Sequence, residues 1–302
     1  MKLVFKKIYL LIKDVLGIFE YVWNMFIIYC VFRFKTHESF SPFPLKQNAR
    51  KGRTISVLAN GPSLRSDLDR MLVDAEFENV DFSVMNFFAN DPIFTEIKPK
   101  YYCLWDPMFY QKDDRYDMVM ELFANMDQKT HWNMTLFIKG SIDHFRSYSQ
   151  INNPQIYIVS ISAPRINTRR NLKNFFYRHG WALPYTWTVA NVNMFTAIQL
   201  GYENVRLYGA DMTLFDGLCV NSNNELCRIV SHFYENENEN ELKPVYHHDL
   251  GKPQRLAEYI EQVLHMIEGH DDIAEYAKSL GVKCLNCCKN SMLDCYPRKK
   301  FD

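Results

Sequence analysis

A short β-branched run that stops at a glycine turn limits the folds open to this chain more than any other stretch. Thr54–Ala59 (TISVLA) is apolar and uncharged, so it reads as a buried central strand ending at Asn60-Gly61. Pro62 suits a first helical turn, where its missing N–H would be unpaired anyway, and Ser63 can cap the amides that follow. A strand, a glycine turn and a helix start aim free backbone N–H groups and a positive dipole end at one point, and that point favours phosphate. A nucleotide-type site is therefore expected here, against the plainer reading of Asn-Gly-Pro-Ser as ordinary turn chemistry.

Strand-like and helix-like runs then alternate. Asp81–Phe88, Tyr101–Trp105, Met134–Ile138, Ile156–Ile161 and Asn204–Tyr208 read as strands, and Tyr116–Met126 and Val189–Leu200 as helices, the latter ended by Gly201. The order predicts an α/β fold: a Rossmann-like, mostly parallel sheet with helices on both faces. Such sheets take ligands beyond the carboxyl ends of their strands, where Asn60, Asn86, Asp106 and Asp211 would gather. Each alone is an ordinary turn residue, and the argument lies in their shared position.

After Asp211 the pattern fades. Residues from about 214 to 246 show no periodicity and carry an Asn/Glu repeat, which reads as a lid over the site. Val245–Leu250 (VYHHDL) follows, ahead of a helix expected over Pro253–Ile267. His248 beside Asp249 is a candidate general base with an orienting partner; a surface histidine pair is the alternative. A chelate by His247 and His248 is disfavoured, because adjacent side chains point apart. Cys284, Cys287 and Cys288 have no second pair at zinc-finger spacing and read as buried or incidental thiols.

Lysines plus arginines equal the acids at 35 each, so no global field points to nucleic acid, and none is expected as a partner. Residues 1–35 differ from the rest: apolar and aromatic, with Lys2, Lys6, Lys7 and Lys13 near one end and Arg33 and Lys35 at the other. Lys13, Asp14 and Glu20 interrupt the run a spanning helix wants, whereas an interfacial helix tolerates them. A membrane-associating amphipathic helix on the cytoplasmic face of the inner membrane is expected, with a helix packed on the domain as the alternative. Residues 36–53 read as a linker and 54–302 as the Rossmann-like domain.

Several motifs together resemble glycosyltransferase family 42, the bacterial CMP-sialic acid-dependent sialyltransferases. They are Asn60-Gly-Pro-Ser-Leu64, Met85-Asn-Phe-Phe88, Trp105-Asp-Pro107, a helix ending Leu200-Gly-Tyr202, and Tyr208-Gly-Ala-Asp211. His248, eight residues before Leu256-Ala-Glu-Tyr-Ile260, matches that family's catalytic histidine, and Gly281–Leu293 resembles its closing strand and Asn-Ser-x-Leu turn. The resemblance implies a GT-A variant and an inverting, metal-independent transfer from a CMP-linked donor to a saccharide acceptor, with no cofactor. By position it assigns Asn60, Asn86, Asp106, Thr188 and Val189 to the nucleotide and donor and His248 to the base; the Gly61-Pro62-Ser63 turn, Asp211 and Thr213 are counted with the donor site, and Asp249 or a backbone carbonyl is expected to fix the tautomer. Asp106 stands where the family has Asn, and Thr213 where it has the first of two phosphate-binding tyrosines. The Gly-Pro-Ser-Leu turn, Lys98-Pro-Lys-Tyr-Tyr102 and Gly209-Ala-Asp211 also resemble the MptE-like pterin pyrophosphokinases. That second resemblance implies a Mg²⁺-dependent diphosphokinase with Asp106 and Asp211 at the metal. A catalytically inert nucleotide- or saccharide-binding protein is the third reading, and homo-oligomerisation stays open.

Overall fold

The computed structural model describes residues 2–36, 52–73, 79–229, 242–246, 251–289 and 291–300. A long helix, α1 (Lys2–Cys30), precedes β1 (Thr54–Leu58), α2 (Leu64–Val73), β2 (Val80–Met85), α3 (Ile93–Ile97) and β3 (Tyr101–Leu104). Next come α4 (Tyr116–Lys129), β4 (Met134–Ile138), α5 (Ile142–Ser149), β5 (Ile156–Ser160), α6 (Arg170–Arg178) and α7 (Val189–Gln199). The chain continues through β6 (Asn204–Tyr208), β7 (Cys219–Val220), β8 (Leu226–Ile229), β9 (Leu242–Pro244), α8 (Leu256–Leu280) and β10 (Lys283–Asn286).

Seven strands form one sheet in the order β10-β6-β1-β2-β3-β4-β5, every neighbouring pair parallel. The expected α/β Rossmann-like class is what the chain adopts. β1 is buried on both faces, and its apolar run is what a strand covered by helices on both sides requires. From β1 the chain winds outward through β2 to β5, then crosses back to lay β6 on the other flank of β1. The order of strands reverses at β1 and β6, the place where an open α/β sheet makes a crevice.

Two apolar layers cover the sheet. One joins β1, α7 and the Ile273–Ala277 side of α8; the other joins α2, α4 and the opposite face of β2 to β4. All eleven residues of α7 are buried, the polar Asn191, Asn193, Thr196 and Gln199 among them, so the helix shows no single apolar stripe.

Several boundaries differ from those read in the sequence. β2 stops at Met85 rather than Phe88, because Asn86 turns to φ +51°, a left-handed conformation that Asn tolerates better than most residues. The helix expected over Pro253–Ile267 is instead Leu256–Leu280, ended by Gly281 at φ +72°. The described part of the expected lid is not structureless: β7, β8 and β9 form a small antiparallel sheet, and Leu226 packs on Tyr259 and Val263 of α8. Strands of two to four residues are too short to show a period in sequence.

Helix α1 touches the domain along one stripe. Asp14 accepts a hydrogen bond from the Arg169 backbone N–H at 2.8 Å and pairs with its guanidinium, and Tyr21 donates to the Trp181 carbonyl at 2.9 Å. Gly17 lies so close to the Asn167 carbonyl that no Cβ fits between them.

His270 of α8 is buried, with Nδ1 3.0 Å from the Tyr296 hydroxyl. Burial pushes it from 6.5 down to about 3. Between those values the unfolded chain binds the proton and the folded chain does not. The stability His270 leaves intact above pH 6.5 is therefore lost as pH falls toward 3, with a slope of up to about 1.4 kcal/mol per pH unit. Thermal melts of the His270→Gln variant from pH 7 to pH 4 should fall less steeply than those of the wild type; parallel curves would remove His270 as a source of acid lability.

Candidate active site

The sequence-predicted cradle begins where β1 leaves the sheet. Gly61 N–H donates to the Gly209 carbonyl at 2.7 Å, and a Cβ on Gly61 would collide with that carbonyl and with Asp211 Oδ2. Glycine is required here for close approach rather than for a left-handed φ, because Gly61 is absent from the positive-φ positions. Asp211 Oδ2 accepts the Ser63 N–H at 2.9 Å, so an amide expected to meet a phosphate is already held by a carboxylate of the chain. The Ser63 hydroxyl donates to Asp67 at 3.3 Å instead of capping the helix amides, and Asp67 also takes the Gly209 N–H. Burial raises the Asp67 carboxyl, with Arg70 pulling the other way. Two acids thus stand at the positive end of α2, which corrects the expectation of an open anion cradle there.

What gathers around this turn is a set of oxygen acceptors. Asn60 donates Nδ2 to the Met85 carbonyl at 3.5 Å, and Asn193 donates Nδ2 to the Val84 carbonyl at 3.2 Å. Those bonds fix both amides so that their oxygens face elsewhere. Asn60 Oδ1, Asn86 Oδ1, Asn193 Oδ1 and Asp211 Oδ1 are all shielded from solvent and lack a hydrogen-bond partner among the described residues. A buried unpaired acceptor costs roughly 1–3 kcal/mol, so these four, after β1, β2 and β6 and on α7, mark a place where a ligand carrying donors would be favoured. The chemistry that completes it is donor-rich: hydroxyls, amino groups or a hard cation.

The remaining candidates fall near these residues in different roles. Thr188 is the N-cap of α7: its hydroxyl accepts the Asn191 N–H at 3.2 Å and donates to Asn191 Oδ1 at 2.8 Å, so it organises the helix start. Val189 is buried in that first turn. Asp106 follows β3, and its charge joins burial in raising the Cys103 thiol. Thr213 follows Met212, which turns through φ +55° after Asp211. His248 and Asp249 lie outside the described residues; on either side of them the Gln254 N–H donates to the Val245 carbonyl at 2.8 Å, and Tyr246 bridges to Pro253.

Sequence reading missed Asn193, although a signal existed: two asparagines, Asn191 and Asn193, interrupt an otherwise apolar helix. It also missed an aromatic stack beside the Thr188 cap. Arg165 lies 3.9 Å over the Tyr185 ring, Tyr185 stacks on His265 at 4.5 Å, and Trp187 stacks on His265 at 5.8 Å, with Trp187 half exposed.

A cavity of about 930 Å³ opens at the other end of the sheet, lined by Thr54, Asn204, Ala277, Lys283, Cys284 and Tyr296. It lies beside the amino ends of β1, β6 and β10, away from the helix starts and loops that carry ligand groups in this class of sheet. Burial pushes Cys284 up to about 12 and raises Cys288, so these thiols stay protonated. Among the described residues no three of His, Cys, Asp or Glu are placed to hold a metal ion.

Residues 34–216, more than half of the chain, match the family model described as 6-hydroxymethylpterin diphosphokinase MptE-like. The chain belongs to the MptE-like family. The matched span of this MptE-like chain takes in Asn60, Asn86, Asp106, Thr188, Asn193 and Asp211 and ends before His248. The family shown is the second of the two resemblances read from the sequence. Among solved structures, the MptE-like chain is similar to the MAf glycosyltransferase from Magnetospirillum magneticum AMB-1, at 12% identity and a TM-score of 0.47, over 85% of this chain and 35% of that one. It thus spans about a third of that protein's length. No curated protein matches the sequence.

If the orphan oxygens serve a ligand, Asn193→Leu should leave the melting temperature within a few degrees of the wild type, because an unpaired buried acceptor is removed along with one hydrogen bond. Affinity for the bound nucleotide, read by calorimetry with CMP and with ATP, should fall at least about tenfold. A large drop in melting temperature with unchanged affinity would make Asn193 a core residue only.

Proposed function

We propose that this MptE-like chain is a glycosyltransferase that moves sialic acid or a related 2-keto sugar, with inversion, from a CMP-linked donor to a saccharide or glycolipid acceptor. The observation that carries this reading is the set of unpartnered buried oxygens on Asn60, Asn86, Asn193 and Asp211. A nucleotide-sugar presents ribose and sugar hydroxyls, which are donors of the kind those oxygens lack. The half-exposed Trp187 face supplies a surface on which a planar base can stack.

The donor phosphate belongs away from Asp211. A phosphate about 4 Å from that carboxylate would be repelled by roughly 1–4 kcal/mol, depending on solvent access. The amino end of α7, with Val189 in its first turn and a helix dipole behind it, is the better seat, and charge leaving with CMP would be received there. His248 would take the proton of the acceptor hydroxyl as its oxygen bonds to the anomeric carbon and the bond from that carbon to the CMP phosphate breaks. Asp249 would hold the imidazole tautomer. On this reading the reaction needs no metal.

The family match favours a second reading, a diphosphokinase in which a nucleoside triphosphate donates pyrophosphate to a pterin alcohol. Asp211 Oδ1 and the amide oxygens of Asn60 and Asn193, all buried and unpartnered, are hard oxygen donors of the kind that suits Mg²⁺, which would offset phosphate charge if it bound there. Asp106 would be its second carboxylate.

The two readings part in one experiment. Purified protein is given CMP-sialic acid or CMP-Kdo with a saccharide acceptor, or ATP with 6-hydroxymethylpterin, each with and without EDTA. Transfer from a CMP-sugar that survives EDTA, and that falls by about 10² to 10⁴ in turnover in His248→Ala with nucleotide affinity unchanged, is expected. His247→Ala should be milder. Transfer of pyrophosphate from ATP to the pterin hydroxyl with release of AMP, abolished by EDTA and dependent on Asp106 and Asp211, would replace the glycosyltransferase reading with the diphosphokinase.

A further inference from the structure

Helix α1 leaves most of its apolar surface bare. Val4–Lys35 is long and apolar enough to cross a membrane, yet the helix is docked at its middle, where Asp14, Gly17 and Tyr21 meet Arg169, Asn167 and Trp181. At about 100° per residue these three contacts fall on one narrow stripe, and Phe5, Leu16, Phe19, Trp23 and Phe26 fall on the opposite side. Phe19 is 77% exposed and Trp23 62%. Lys6 and Lys13 share one flank, about a quarter-turn from the docked stripe.

Apolar side chains of the domain border the docked stripe. The Tyr21 ring meets Phe176 edge to face at 4.9 Å, Phe176 lies against Phe175 and Trp181, and Phe175 and Trp181 are each exposed by more than two-fifths. Arg170, 66% exposed at its side chain, stands at the start of the same helix as Phe175.

We propose that α1 and the Phe175–Trp181 edge form a single monotopic surface that lies in the plane of an anionic bilayer, with α1 half-sunk and not crossing it. Three features select this occupant. A crossing helix of about 48 Å would carry its docked middle, and with it Arg169, Asn167 and the Trp181 backbone, to the centre of the hydrocarbon, where unpaired polar groups are costly. An in-plane helix keeps that stripe on the domain side, sinks the Phe19 and Trp23 side, and sets the lysine flank at the level of the headgroups. The lysine flank faces an anionic surface better than it faces a second copy of itself, which would oppose lysine to lysine. This surface does not depend on which chemistry the strand ends perform.

The test uses the full chain carrying an epitope tag at its amino end, added to the outside of sealed vesicles. It should float with phosphatidylglycerol-containing vesicles and much less with pure phosphatidylcholine, and external protease should remove both tag and domain. The double substitution Phe19→Glu and Trp23→Glu should abolish flotation while the melting curve stays unchanged. Lys6→Glu with Lys13→Glu should weaken binding to the anionic vesicles by at least about tenfold while leaving the fold intact. A tag protected inside the vesicles while the domain is digested would overturn the in-plane arrangement in favour of a spanning helix. Flotation unchanged by Phe19→Glu and Trp23→Glu, or a stable dimer in solution that does not bind vesicles, would overturn the membrane surface itself.

Discussion

β1 and β6 leave the sheet side by side with almost no space between them, and the site is built on that contact. Gly61 has room only for hydrogen against the Gly209 carbonyl and Asp211, and a Cβ on Gly209, at φ +62°, would stand 2.7 Å from the Ala59 carbonyl. The approach lets the Gly61 N–H reach Gly209 and the Ser63 N–H reach Asp211. It is buttressed from behind, where Ser291 Oγ donates to the Ala210 carbonyl at 2.6 Å and the Met292 N–H donates to the Asp211 carbonyl at 3.1 Å. A chain closed this tightly cannot open a phosphate-sized gap at the same amides without breaking several bonds at once.

Because Asp67 and Asp211 already answer the dipole of α2, the electrostatics of the site are set by the protein before a ligand arrives. The unfilled valence lies in oxygens. Asn60 and Asn193 approach β2 from two different elements and donate to neighbouring carbonyls, Met85 and Val84, which leaves their own oxygens unpaired. Holding such acceptors empty lowers stability, so a ligand that donated to them would stabilise the fold as it bound. The amino end of α7 stands beside them with its amides organised by Thr188 and Asn191.

Much of this could be read from residues in order. The β-branched run at Thr54–Leu58 and the glycine-ended helix before Asn204 gave the parallel sheet, because period and punctuation are local properties. The clustering of Asn60, Asn86, Asp106 and Asp211 at strand ends followed from topology alone. α3, α5 and α6 escaped notice, since helices of five to nine residues span too few turns to show a periodic face. Asn193 escaped as well, because a polar residue within an apolar helix looks like a blemish until its partner strand is known.

The sequence by itself determined the class of fold, the identity of the turn after β1 and the presence of an amphipathic amino-terminal helix, all of which depend on neighbours a few residues apart. Only the tertiary structure decided that Asp211 seals the helix start expected to hold phosphate, 148 positions away from Ser63. It alone decided, too, that Asn193 and Asn60 flank one strand end and that Asp14 ties α1 to Arg169 across 155 positions. Residue type says that a carboxylate or an amide will seek a partner; which partner it finds is fixed by the packing of strands and helices distant in sequence, because a hydrogen bond acts only across a few ångströms of space.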